Sequence, residues 1–79
     1  MDVLYGVGNK RFIVKNNNNK YFLVSLGKYE SFLIDEMTAQ SILRQGYWDA
    51  NPKVNEETIA YISKVISSNK VEVMKAFID

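Results

Sequence analysis

The chain contains neither cysteine nor histidine in its 79 residues. Ser-His-Asp and Cys-His nucleophile systems are thereby excluded within it, as are zinc sites built on either ligand. Carboxylates, lysines and tyrosines remain for any acid or base chemistry. Without cysteine there is also no disulfide to supplement a small core, which argues against the cross-linked secreted mini-protein class. No apolar run exceeds four residues, as in Tyr21–Val24, and no basic stretch followed by an apolar one opens the chain. Neither export nor membrane insertion is expected, and a cytoplasmic location is the default expectation.

Acids are missing locally as well. Residues 3–29 carry Lys10, Arg11, Lys15, Lys20 and Lys28 with no Asp or Glu, and the remainder is net acidic, so the net charge is only +1. That total gives no strong pull toward nucleic acid or anionic lipid; the uneven distribution makes the chain two-signed.

What is present suffices for one globular domain, residues 1–79. The apolar share is 47% and aromatics make up 13%, far from a disordered composition. A chain this short buries only about 60% of its unfolded surface, so stability is thin and a partner surface would help.

The N-terminal half has strand chemistry. Lys10–Lys15 and Lys20–Leu26 are β-branched and aromatic segments on either side of Asn16-Asn17-Asn18-Asn19, and together they predict a β-hairpin. A tight turn at Asn17-Asn18, or a four-residue loop, pairs Val14 with Tyr21 and Phe12 with Leu23. That register puts Lys10, Phe12, Val14, Tyr21, Leu23 and Ser25 on one face. It puts Arg11, Ile13, Lys15, Lys20, Phe22, Val24 and Leu26 on the other, with Phe22, Val24 and Leu26 expected against the helices. Further strands are expected over 3–7 and 31–34.

At Asp35 the apolar period lengthens to that of a helix. Asp35 is a good N-cap, Met37, Ala39, Ile42 and Leu43 supply a stripe, and Gly46 suits the left-handed position after the last turn, predicting a helix over 36–45. Residues 47–53 read as a loop. A second helix over 56–67 is capped by Asn55, with Glu56 and Glu57 in its first turn, Val54 and Ile59 as a hydrophobic staple, and Ile59, Ile62, Val65 and Ile66 buried. The segment 70–78 fits a third helix better than a strand. The expected class is α+β: a small antiparallel sheet followed by two or three helices.

Few motifs suggest chemistry. The acid pairs Asp35-Glu36 and Glu56-Glu57 sit where helix N-termini favour negative charge. Asp49-Ala50-Asn51 begins like a calcium loop, but Val54 takes the obligatory glycine position and Ala60 that of the bidentate glutamate. Gly6-Val7-Gly8 begins like a dinucleotide fingerprint, but Arg11 replaces the third glycine and a strand follows. A helix-turn-helix across Ser67-Ser68-Asn69 would offer only Lys70, Glu72 and Lys75 as polar recognition residues. No metal, cofactor or enzymatic activity is expected.

Two binding surfaces stand out. Tyr47 and Trp48 either close the core after the first helix or, if exposed beside Pro52, anchor a protein interface, where such rings dominate the energetics. The hairpin interleaves Lys10, Arg11, Lys15, Lys20 and Lys28 with Phe12, Tyr21, Phe22 and Tyr29, an arrangement suited to phosphates and bases or to an acidic partner. The short, asparagine-bearing composition is similar to that of small proteins carried by phages and mobile elements in low-GC bacteria. The leading expectation is a non-catalytic regulator, an inhibitor or adaptor of another protein. The alternative is nucleic-acid binding through the hairpin, and self-association through a hairpin edge or the final helix would relieve the small core.

Overall fold

A computed structural model describes the backbone of residues 1–8 and 10–78 and the side chains of 1–8 and 10–68. The architecture is α+β, as expected: a five-stranded antiparallel sheet with two helices. Strands β1 (Asp2–Val7), β2 (Arg11–Lys15), β3 (Tyr21–Ser25) and β4 (Glu30–Ile34) form a meander. Helix α1 (Glu36–Leu43), a short strand β5 (Asp49–Ala50) and helix α2 (Glu56–Ile78) follow. The sheet order is β4-β3-β2-β1-β5, so β4 and β5 are its edges.

This order dictates the layers. The chain leaves β4 at one edge and re-enters the sheet as β5 at the other, so α1 and the Tyr47-Trp48 segment cross one face. Then α2 returns from β5 across the opposite face to meet β3 and β4. On the α2 face Phe12, Val14, Val24, Ile62 and Val65 form a fully buried cluster, joined at its rim by Met1, Val3, Phe22, Leu26, Val54 and Ile66. Ile13, also fully buried, points to the other face by strand alternation.

The β2–β3 hairpin is where expected, but its register differs by one residue. Val14 pairs with Phe22 and Phe12 with Val24. The cause is the loop. Asn16 N–H donates to Lys20 O at 3.0 Å, Asn19 N–H donates to Asn16 O at 3.1 Å, and Asn19 takes the left-handed φ of 61°. This is a turn followed by a left-handed residue, giving a three-residue loop between Asn16 and Lys20. The Asn16 Oδ1 reinforces it by accepting from the Asn18 and Lys20 N–H groups, each at 2.9 Å. The slip regroups the faces: Phe22 and Val24 do pack under α2, but with Phe12 and Val14, while Arg11, Ile13, Lys15, Tyr21 and Leu23 share the other side.

A bulge in β1 makes the N-terminal strand serve both faces. Val3 pairs with Val14 and Tyr5 with Ile13, so Leu4 is the extra residue. Val3 therefore faces α2 and Tyr5 the opposite face with Ile13, and the Leu4 carbonyl accepts the Asn51 N–H at 2.9 Å just beyond β5.

Helix α1 starts as its sequence dictates. Thr38 N–H donates to Asp35 Oδ1 at 2.7 Å, and Gly46 adopts φ 84° beyond the C-cap Arg44. The helix ends two residues earlier than expected. Ala39 is buried and Ile42 and Leu43 are half-buried, whereas Met37 is 79% exposed and lies outside the stripe.

Helix α2 is capped by Asn55, whose Oδ1 accepts the Thr58 N–H at 2.8 Å. Ile59 of the expected staple is exposed, and Val54 alone reaches the core. No break falls at Ser67-Ser68-Asn69: residues 70–78 are helical as expected, but they continue α2 into one 23-residue helix. Ser and Asn weaken a helix by only about 0.5 kcal/mol each and do not terminate it as Gly or Pro would. A helix-turn-helix is therefore excluded. At about 1.5 Å per residue α2 is roughly 35 Å long, against a longest molecular dimension of 38 Å.

Candidate protein-binding site

The sequence predicts loop throughout the segment after α1, but Asp49 and Ala50 form β5, pairing with Gly6 and Tyr5 of β1. This pairing fixes the two aromatic residues just before it. Gly46, in its left-handed turn, redirects the chain out of α1, and β5 pins the other end. Tyr47 and Trp48 are held between these two points.

Their rings are stacked, with centroids 6.1 Å apart and planes inclined by 22°. Arg11 projects from β2 onto the same side, its guanidinium carbon 5.8 Å from the Tyr47 centroid and 5.8 Å from that of Trp48. At that range a guanidinium is attracted to both aromatic faces. The Tyr47 hydroxyl donates to Gln45 Oε1, and Tyr47 is 48% exposed. Trp48 is half-buried, with its Nε1 out of contact with solvent and without a hydrogen-bond partner among the described residues. Of the two readings of this pair, Trp48 fits partly the core-closing one and Tyr47 the exposed one.

The sequence groups Arg11 with the basic hairpin rather than with the aromatic loop. Spacing cannot reveal that Arg11 meets Tyr47 and Trp48, because the contact depends on the α1 crossover that returns the chain to β2.

The other basic residues do not gather into one patch. Lys15 lies across the strand pair from Tyr21, its Nζ 6.0 Å from that ring, on the same face as Arg11. It stands four residues along the strand from Arg11, roughly 13 Å away. Lys20 is exposed at the Asn-loop end of the sheet. At the opposite end, Lys28 is exposed in the β3–β4 turn beside Tyr29. The Tyr29 ring meets Tyr61 edge to face at 5.7 Å, and its hydroxyl bonds to Ser68 Oγ at 3.2 Å. Lys10 lines a shallow groove with Leu26, Gly27, Glu57, Thr58 and Tyr61, on the α2 side. Phe12 and Phe22 belong to the core or its rim and are not offered to a ligand.

The acid pairs are placed at helix starts. Asp35 is the α1 cap, and its hydrogen bonds from Thr38 hold its carboxyl below the usual carboxylate range. Glu56 and Glu57 form the first turn of α2. Asp49, the first residue of the calcium-like segment, lies in β5. Among the described residues no helix is long and apolar enough to cross a membrane. No family model, curated protein or solved structure matches the chain.

Proposed function

We propose that this chain is a non-catalytic module that binds another protein, acting as an inhibitor or adaptor, and that Tyr47, Trp48 and Arg11 form the centre of its binding surface. The observation that carries the reading is the stacked Tyr47–Trp48 pair backed by the Arg11 guanidinium, with Tyr47 standing half in solvent. Tyrosine, tryptophan and arginine are the residue types that contribute most at protein interfaces. Here they are fixed in advance by Gly46 and β5, so ordering them on binding costs little.

The test is co-purification of the tagged protein from its native host, with and without nuclease. A protein should be recovered equally in both conditions, and Tyr47→Ala should reduce its recovery about tenfold or more, the loss of one hot-spot contact. Undiminished recovery with Tyr47→Ala in a folded protein overturns the reading.

Nucleic-acid binding is the second reading, favoured by one feature: Arg11 and Lys15 each lie near aromatic rings on the same sheet face. It requires affinity that falls steeply with salt, with a shallower slope once Lys15 and Lys20 are replaced by Ala.

A further inference from the structure

Arg11 meets two aromatic rings and no acid. Its guanidinium carbon is 5.8 Å from each centroid and the centroids are 6.1 Å apart, so it sits equally against both rings and does not cap one of them. The rings fix the side chain, but the strong partner of a guanidinium is an oxyanion that takes two of its N–H groups at once. Among the described residues Arg11 has no such partner, and it is exposed.

Strand pairing keeps the chain's own acids away from it. Asp49 follows Trp48 directly, but it pairs with Gly6, which pairs with Phe12. Cross-strand partners share a face, so Asp49 lies on the α2 side of the sheet. Glu30 lies on the Arg11 side, since Arg11 pairs with Ser25 and Ser25 with Glu30, but it stands two strands away, roughly 10 Å. Asp2 pairs with Lys15 at the far end of β2, and Asp35-Glu36 leave β4 at that same end. Arg44, exposed at the C-cap of α1, adds a second positive charge to the crossover that carries Tyr47.

Resting on the protein-binding reading of the Tyr47 surface, we infer that the partner is a protein with an acidic docking face, which sets an Asp or Glu carboxylate on the Arg11 guanidinium. Charge complementarity selects this partner. The planar guanidinium matches a carboxylate through two parallel N–H···O bonds, and the two rings hold it ready for them. Tyr47, half in solvent, borders the ion pair; covering it excludes water and strengthens the attraction. A nucleic-acid backbone fits less well, because it requires a continuous track of cations. Here Lys15 lies opposite Asp2, Lys10 is on the α2 side, and Lys20 and Lys28 are at opposite ends of the sheet.

The test uses the complex co-purified from the native host, comparing Tyr47→Ala, Arg11→Glu and Arg11→Lys, each confirmed as folded by thermal unfolding. Arg11→Glu should cut recovery about tenfold or more, since it turns a closed ion pair into repulsion. Arg11→Lys keeps the charge without the fork and should lose only about threefold. The Arg11→Lys complex is then treated with a water-soluble carbodiimide. This reagent condenses the ammonium at position 11 with a touching carboxylate into an amide, and takes up the lost water to become a urea. Peptide mapping should find position 11 joined to an Asp or Glu of the partner, and replacing that acid by Lys should restore binding of the Arg11→Glu chain. Recovery that is insensitive to Tyr47→Ala, or abolished by nuclease, would overturn the binding reading and the carboxylate contact with it. Recovery that falls with Tyr47→Ala but not with Arg11→Glu would overturn the carboxylate contact alone. So would a captured partner in which position 11 is joined to no acid.

Discussion

Gly6 and Phe12 face each other across β1 and β2, and the Phe12 ring fills the space that a side chain at position 6 would need. A Cβ on Gly6 would lie 3.0 Å from Phe12 Cδ1, 3.1 Å from Cε1 and 3.2 Å from Pro52 Cγ. Phe12 in turn is the largest side chain of the fully buried cluster beneath α2. Gly6→Ala should therefore destabilise the domain by about 1–3 kcal/mol through overpacking, read as a lowered Tm in thermal unfolding. At Gly8, φ is 56° and a methyl group on its Cα would meet nothing within 4 Å. Gly8→Ala should cost only the backbone term, about 1 kcal/mol. A smaller loss at position 6 than at position 8 would contradict the packing of Phe12 on Gly6.

The hairpin loop gives a second expectation. Asn16 Oδ1 accepts two main-chain N–H groups, whereas Asn17 Oδ1 accepts only the N-terminal ammonium, at 3.2 Å. Asn16→Ala should cost about 1–2 kcal/mol and Asn17→Ala less than about 0.5. Asn19→Gly, at a left-handed φ, should be neutral or slightly stabilising. Denaturant unfolding of the three variants distinguishes this loop from a two-residue turn at Asn17-Asn18, which would make position 17 the sensitive one.

The helix caps separate by pH. Asp35 keeps its carboxyl ionised below the usual range through its bonds from Thr38, so the folded state favours the charged form. Its contribution is fully present above the ordinary carboxylate value of about 3.9 and is lost as pH falls through the depressed folded value. Asp35→Ala should remove this acid-side component, flattening the stability profile below about pH 4. Asn55→Ala should cost about 1 kcal/mol at every pH. A pH-dependent loss at Asn55, or none at Asp35, contradicts these cap assignments.

Trp48 should tolerate one conservative change. Its Nε1 is buried without a partner among the described residues, so Trp48→Phe removes a donor that gains nothing in the fold and keeps an aromatic face for Arg11. Stability should change by less than about 1 kcal/mol, whereas Trp48→Ala should cost about 2 kcal/mol or more. A loss with Phe as large as that with Ala would mean that the indole N–H is in fact bonded.

Local chemistry makes much of this fold legible. Asp35, Asn55 and Gly46 cap and terminate helices through their own side chains or backbone freedom, and the β-branched and aromatic segments on either side of four asparagines announce a hairpin. What escapes depends on tertiary context. Four asparagines in a row admit several loop lengths, and only the left-handed Asn19 selects one, yet that choice reassigns every side chain of the hairpin to a face. Asp49-Ala50 is too short and too polar to read as a strand until β1 offers an edge to it. The helix runs through Ser67-Ser68-Asn69 because weak helix formers lower stability without stopping propagation. At the candidate site the aromatic pair is visible as a sequence feature, but Arg11 reaches it only through the crossover that brings residue 47 back to β2.

Whether the Tyr47 surface meets another protein is read out by a photoreactive phenylalanine placed at position 47 and activated in the native host. A control carries it at Lys64, exposed on α2. The binding reading predicts a discrete, nuclease-resistant protein adduct from position 47 and none from position 64. Adducts that are absent at 47, equal at the two positions, or dissolved by nuclease would contradict it.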